Sequence, residues 1–599
     1  MRLEAGFAHE AVHGLRMILL TDSKRRCFQA FLAKNTLRGD RRGFRQPASL
    51  PFTAGDVYPA CPGKTVVPYS RVLESLQRFQ IALFFFLAWL VLANPACRAD
   101  DLTTIGVTQL RAIHPNLNGA GIAVAQPEAQ ADQGENDWEL YPGDDGQPLS
   151  FATWINTNGT ASTFPNSLGA YSGHAGEVGH NLYGVGTGAA PGVPHVDNYE
   201  ADFFINYLIQ SNQPVADQVV NQSFTFGVLS IADQQAADSL YDNYIATYSN
   251  LFCSGAADGG QVCAPATCYN GLGVGCYGVG AASSIGPTVD NGRSKPDLTA
   301  PSTYTSFSTP YVSGAGAVLL QAAANGAGGT NLAAAGDLRT LRALLVNGAI
   351  KPGDWTHTPT APLDTRYGSG VLNLFYSYLQ LAAGQQPLST AQTVLSGASH
   401  PPGTPANIIP SLLGWDFQTI TSSPVQDTVN HYYFNNVGGS TGPNTLTATL
   451  EWNRGAGESS INQLALFLYN CVNGDLITNS SSTVDNLQHL YLASLPSGEY
   501  DLEVVKYGSP SQSVSFAETY ALAYQFVPIS PPEAVIATIG SEVVISWPAS
   551  PTLFSLQQTS SLAAPISWTP VNAVGLLSNA LVTVTLNPPA STVFFRLSR

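Results

Sequence analysis

A chain of 599 residues exceeds what one compact core can serve, so two to four domains are expected. Only 11% of its residues are charged, while 56 are Gly and 40 are Pro, which excludes a coiled coil or a disordered chain and fits a loop-rich, β-containing or α/β protein. The formal charge of −16 is unevenly spread: residues 1–99 hold 14 of the 25 basic and 6 of the 41 acidic side chains, leaving 11 basic and 35 acidic in the remainder. So acidic a body argues against nucleic acid or an anionic membrane as partner and suits an exported protein.

Residues 1–75 are basic, lack periodicity and contain both methionines, Met1 and Met17. The apolar run 81–93 follows Arg71 and Arg78 and precedes the small-residue stretch Ala96-Cys97-Arg98-Ala99. It is shorter than the roughly 20 residues that a spanning helix needs, and residues 76–99 read as a signal peptide cleaved near Ala99. The Asn94-Pro95-Ala96 context disfavours a lipid on Cys97. Since a signal peptide should begin a chain, translation is expected to start downstream at a non-Met codon (Val66, Val67 or Val72), which would leave most of the basic extension, residues 1–75, untranslated. The expected location is secreted, periplasmic or extracellular. Cleavage leaves five of eight cysteines, so at least one thiol stays free. Cys263 and Cys268 flank a short loop and are the best disulfide candidates; a Cys-x4-Cys metal knuckle is the weaker alternative, as no His neighbours it.

Along the body, residues 117–128 give a Gly-containing turn, a short apolar run of the buried parallel-strand kind, and Glu128 at its end. Open α/β sheets keep their chemistry at that end of the strands. Gly173-His174-Ala175-Gly176-Glu177-Val178-Gly179 places a His among small residues, with His180 as a competitor. Two further strand-like runs, 219–224 and 251–255, lead to Ser223 and Asp258. In 295–320 a turn-rich half precedes a small, apolar half that suits a buried helix from about Pro310. A hydroxyl before such a helix sits near free N–H donors in a positive field, so Ser306 is a candidate nucleophile; taken alone, Thr305, Ser306 and Ser308 read equally as caps.

Thr305-Ser306-Phe307-Ser308-Thr309-Pro310 with Val312, Gly314 and Ala315 resembles the serine motif of the subtilisin-like proteases. Lys295-Pro296-Asp297 and Ala300-Pro301 resemble the segment that precedes it. The His174 motif, the 188–192 turn and Tyr367-Gly368-Ser369-Gly370-Val371-Leu372-Asn373 resemble the family's other landmarks. The resemblance implies Ser306 as nucleophile, His174 as general base and Glu128 in the place of the usual Asp, where a longer carboxylate can still orient an imidazole. It also implies Ser223 on the strand lining the substrate cleft and Asp258 at the oxyanion position, where the family has a donor. An ionised Asp cannot donate, so either activity favours low pH, as in the sedolisins, or the register differs. Only Ser302-Thr303-Tyr304 separates Ala300-Pro301 from Thr305, and Tyr304 replaces the usual Gly, which reduces the cleft wall.

The expected architecture is therefore an α/β, doubly wound parallel sheet over 100–385, a Ser/Thr/Gly/Pro-rich linker over 386–410, a β-sandwich over 411–530 and a small fibronectin-like β domain over 531–599. Alternating runs at 446–452, 464–469 and 500–505 carry the β-sandwich. The resemblance implies an exported, monomeric serine endopeptidase acting on protein or peptide, with no stable membrane span. No cofactor is identified; calcium is allowed on family grounds without a ligand loop that can be named. The rival reading is a catalytically impaired scaffold whose β domains bind carbohydrate or protein.

Overall fold

The computed structural model describes residues 101–599 except 131–135, 391, 395–405, 423–424, 437–442, 530–533, 540–541, 549–554, 564–565, 572–575, 579–580, 589–591 and 599. The basic extension, the signal peptide, Cys27, Cys61, Cys97 and residues 391 and 395–405 of the Ser/Thr/Gly/Pro-rich stretch lie outside the described residues.

Ten strands precede residue 302: β1 (Val124–Glu128), β2 (Asp137–Glu139), β3 (Ala152–Asn156), β4 (Gly159–Ala161), β5 (Ala170–Tyr171), β6 (Val196–Glu200), β7 (Val219–Gln222), β8 (Leu251–Gly255), β9 (Leu272–Tyr277) and β10 (Leu298–Pro301). Eight of them form one sheet in the order β10-β9-β8-β7-β1-β6-β3-β4, parallel except at the antiparallel edge strand β4. β1, β7 and β8 are buried along their whole length, as strands covered on both faces must be. The chain winds from β1 toward β3 and β6 on one side, then toward β7–β10 on the other. That reversal makes the carboxyl ends of β1 and β7 the expected place for a site. Pairing between β1 and β7 stops at Ala125, two residues before Pro127, whose ring nitrogen has no hydrogen to give. The two strands separate just below Glu128.

Helices α1 (Val107–Ile113), α2 (Gly173–Leu182), α3 (Ile231–Tyr248), α4 (Thr305–Ala324), α5 (Leu338–Asn347) and α6 (Leu374–Ala382) complete this part. α4 is almost wholly buried and packs on α2, β7, β8 and β9. Gly314 permits that approach, since a Cβ there would lie 2.7 Å from the Ala189 Cβ. The helix begins at Thr305, five residues before the expected start at Pro310. Pro310 thus lies in the second turn and leaves the Ser306 carbonyl without its helical donor; the Ser223 hydroxyl takes that place, donating at 2.7 Å.

After α6 the chain is β. Strands β11 (Thr393–Val394), β13 (Thr428–Asn435), β15 (Leu464–Asn470), β16 (Leu476–Ser480) and β18 (Glu499–Lys506) form one antiparallel sheet, in the order β11-β13-β18-β15-β16. A second, β12-β19-β14-β17, holds β12 (Leu413–Thr421), β14 (Asn444–Trp452), β17 (Leu487–Leu495) and β19 (Ala517–Pro528). Tyr432, Phe434, Leu466, Leu468, Leu502 and Val504 from the first share one apolar core with Leu446, Ala448, Leu450, Tyr520, Leu522 and Tyr524 from the second. Two smaller antiparallel sheets follow between residues 535 and 598. No helix among the described residues is long and apolar enough to cross a membrane.

The core of the parallel sheet does not end at residue 385. Trp415, Leu487, Ala521 and Ala523 of the two-sheet unit belong to it, and the Trp415 indole donates to Leu381 O at 3.1 Å. The described parts of the 386–410 stretch are tied down: Gln386 N donates to Trp415 O, and Ser389 N to His431 O. Charge is buried at the same junction. The Arg342 guanidinium on α5 pairs with Glu451 on β14 and donates to Asn270 O and Asn453 Oδ1 at 3.1 and 3.0 Å. Removing one member of such a pair strands the other in a medium that cannot solvate it. Arg342→Met is expected to lower the unfolding free energy by about 3–5 kcal/mol in urea titration, and adding Glu451→Leu to recover most of that loss.

The expected Cys263–Cys268 disulfide is not formed; both thiols are free, as are Cys253, Cys276 and Cys471. The turn explains why: Cys263 Sγ donates toward Gln261 O at 3.5 Å, whereas Cys268 enters the apolar cluster of Tyr241, Tyr244 and Phe252. Burial pushes the two thiols up to about 11 and 12, which keeps them protonated and inert.

Candidate active site

Three segments meet at the carboxyl ends of the central strands. β1 ends at Glu128, which is 1% exposed. Ser172 caps α2 by accepting from Ala175 N, which sets His174 in the first helical turn. The His174 Nδ1 lies 2.9 Å from Glu128 Oε2. Because residues two apart share a strand face, Gln126 stands beside Glu128, and its Nε2 donates to Glu128 Oε1 at 2.9 Å and to Ala175 O at 3.0 Å. The Tyr183 hydroxyl donates to Gln126 Oε1 at 2.7 Å. Each oxygen of the buried carboxylate thus has a partner, and the carboxylate cannot rotate without losing one.

Burial works against the imidazolium of His174. Glu128 opposes it by charge and by hydrogen bond, Asp258 adds to it by charge, and together they hold His174 above its ordinary value. The charged form of this pair stabilises the fold fully below the unfolded histidine value of about 6.5, and that contribution is lost as pH rises through the elevated folded value. His180, the competing histidine, points elsewhere, with its Nδ1 3.7 Å from Asp145.

Ser306 is half-buried in the first turn of α4. Its neighbour Phe307 lies 5.5 Å, ring centre to ring centre, from His174 with the two rings tilted by 38°, and Asn181 Nδ2 of α2 donates to Phe307 O at 2.9 Å. The His-bearing and Ser-bearing helices are therefore cross-linked at the mouth of α4. Ser308 is fully buried and donates to Gly275 O and Thr305 O, whereas Ser306, in the same turn, keeps part of its surface exposed. Ser223, 6% exposed, receives a hydrogen bond from Asn221 Nδ2 and braces the Ser306 carbonyl as described above.

Asp258 follows Ala257, whose φ of 92° turns the loop after β8 back toward α4. Its Oδ1 accepts from Thr305 N at 2.8 Å and from Thr305 Oγ1 at 3.1 Å. α4 has no side-chain cap of its own at Tyr304, and Asp258 supplies one across the fold. Here the carboxyl is an acceptor. Beside it, a cleft of about 650 Å³ is lined by Cys276, Tyr277, Val279, Ser283, Arg366 and Tyr367, among others.

Sequence reasoning named Glu128, His174, Ser306, Ser223 and Asp258 but missed Gln126 and Tyr183. The strand period would have put Gln126 on the face of Glu128; nothing local would have found Tyr183, 55 residues from Glu128 and on the turn after α2.

Residues 175–370 match the model of the subtilase family. The matched range holds Ser223, Asp258 and Ser306 and begins one residue after His174. No curated protein matches the chain. Among solved structures, the chain is similar to the prenylagaramide maturation protease PagA at 18% identity, over 47% of this chain and 99% of that one, with a TM-score of 0.31. It is also similar to tripeptidyl peptidase 2 at 11% identity, over 72% of this chain and 53% of that one, with a TM-score of 0.28. The likeness to the subtilase family thus spans residues 175–370, from the first turn of α2 to the loop before α6.

Proposed function

We propose that this chain is an exported serine endopeptidase that cleaves peptide bonds through Ser306, His174 and Glu128. The observation that carries the reading is the 2.9 Å contact between the buried Glu128 and His174, held beside the helix mouth that bears Ser306. Glu128 fixes Nδ1 as the protonated ring nitrogen, which leaves Nε2 with a lone pair for the Ser306 proton. Ser306 Oγ attacks the peptide carbonyl, and the new oxyanion lies near the Ser306 N–H at the helix N-terminus. The imidazolium returns its proton to the leaving amine. Water, deprotonated by the same ring, then hydrolyses the acyl ester and frees Ser306. Labelling by a fluorophosphonate probe, abolished by Ser306→Ala, tests the assignment; an unlabelled, folded wild-type chain overturns it.

Asp258 decides between full and impaired catalysis. As an acceptor it brings negative charge to where the oxyanion forms, which costs rate. Asp258→Asn retains an oxygen for the two Thr305 bonds and adds an N–H donor. It is therefore expected to raise kcat by up to about 10²-fold at neutral pH. A fall in kcat after this substitution would show that the carboxyl itself takes part.

A further inference from the structure

A second constellation lies in the two-sheet unit, away from the peptidase site. His431 on β13 sits directly opposite Glu503 on β18, and Asp501, two residues earlier on β18, shares the face of Glu503. The His431 Nδ1 lies 2.7 Å from Asp501 Oδ2 and 3.5 Å from Glu503 Oε1. One donor atom from each of the three residues falls within 4.8 Å of the others, the one such group among the described residues. Asp501 is 0% and Glu503 2% exposed, yet Asp501 Oδ1 and Glu503 Oε1 accept no hydrogen bond among the described residues. A pair of carboxyls buried together with open lone pairs is costly unless a cation or a proton joins them.

We propose that His431, Asp501 and Glu503 bind a divalent transition-metal ion of the zinc class, stapling β13 to β18. One imidazole and two carboxylates form a borderline donor set that suits zinc better than calcium, which takes six to eight oxygens. The outer ring nitrogen is already held: His431 Nε2 lies 3.0 Å from Thr393 Oγ1, the kind of contact that orients a ligating imidazole. With Nε2–H donating to that hydroxyl, the Nδ1 lone pair points at the carboxylates. Binding then sets the metal on that lone pair and on the two carboxylates, and a proton that the group holds leaves to solvent. Both carrying strands are ladder-paired along their length, so the donors are preorganised.

The test uses the full chain carrying Ser306→Ala, to prevent self-digestion, stripped with chelator and titrated with Zn²⁺ alone. Saturable uptake of one equivalent is expected, with a rise in Tm of about 5 °C at a hundredfold excess over Kd. Glu503→Gln keeps the volume and removes a buried acid, so without metal its Tm should equal or exceed that of the parent. With Zn²⁺ it should show no rise and at least a tenfold loss of affinity, and Asp501→Asn should do the same. No saturable uptake by the parent, or uptake unchanged in Glu503→Gln, overturns the site.

Discussion

Ser306→Ala is expected to lower kcat on peptide substrates by about 10⁶-fold while leaving the unfolding free energy within about 0.5 kcal/mol of wild type. The asymmetry follows from what the hydroxyl does. The fold at this point is held by groups that the substitution leaves in place: the Ser223 bond to the Ser306 carbonyl, the Asp258 cap on Thr305, and the Asn181 bond to the Phe307 carbonyl. Only the nucleophile is lost. Ser308→Ala is the control, because that hydroxyl is buried against Gly275 O and Thr305 O and should affect stability rather than turnover. Comparable kcat in wild type and Ser306→Ala would remove the peptidase assignment.

Glu128→Gln should cost about 10⁴-fold in kcat, the scale found where the acid behind a catalytic imidazole is made neutral. A carboxamide can donate to Nδ1 and so favour the wrong tautomer. The pH dependence supplies an independent reading. His174 must be neutral to act as base, and its elevated value places the acid limb of kcat/KM above about pH 6.5, so activity rises with pH through that value. Removing the Glu128 charge leaves burial as the main influence, and burial lowers the value. The limb of the variant should therefore move to lower pH even as its plateau falls. A wild-type profile with an acidic optimum would contradict this and restore the low-pH alternative attached to Asp258. Glu128→Asp should fall between the two, because a side chain one methylene shorter cannot span from the end of β1 to the ring without moving the strand.

How much of this was legible in the chain depends on distance and register. The β1 strand ending in an acid, the His174 helix and the Ser306 turn announce themselves through local pattern, and the structure brings Glu128 and His174 together. The start of α4 differs from the expected one because Pro310 looks like an opening residue; the hydroxyl that lets it sit deeper comes from Ser223, 83 residues before the Ser306 carbonyl that it serves. Flanking a short loop makes Cys263 and Cys268 look like partners, whereas the turn between them sends one thiol to a carbonyl and the other into the core. His431 and Glu503 become neighbours only through the β13–β18 register, which no single strand records. The role of Asp258 as a cap likewise rests on a loop crossing to another helix.

The Trp415 indole joins the apolar core of the parallel-sheet part and bonds α6 at Leu381 O, from a strand that begins after it. During synthesis, a polypeptide halted near residue 385 would hold Glu128, His174 and Ser306 but an unroofed interior, with Leu381 O awaiting its donor. Proteolytic competence should thus arrive late, once β19 has emerged to seat Ala521 and Ala523. Expressed by itself, the front half is expected to aggregate.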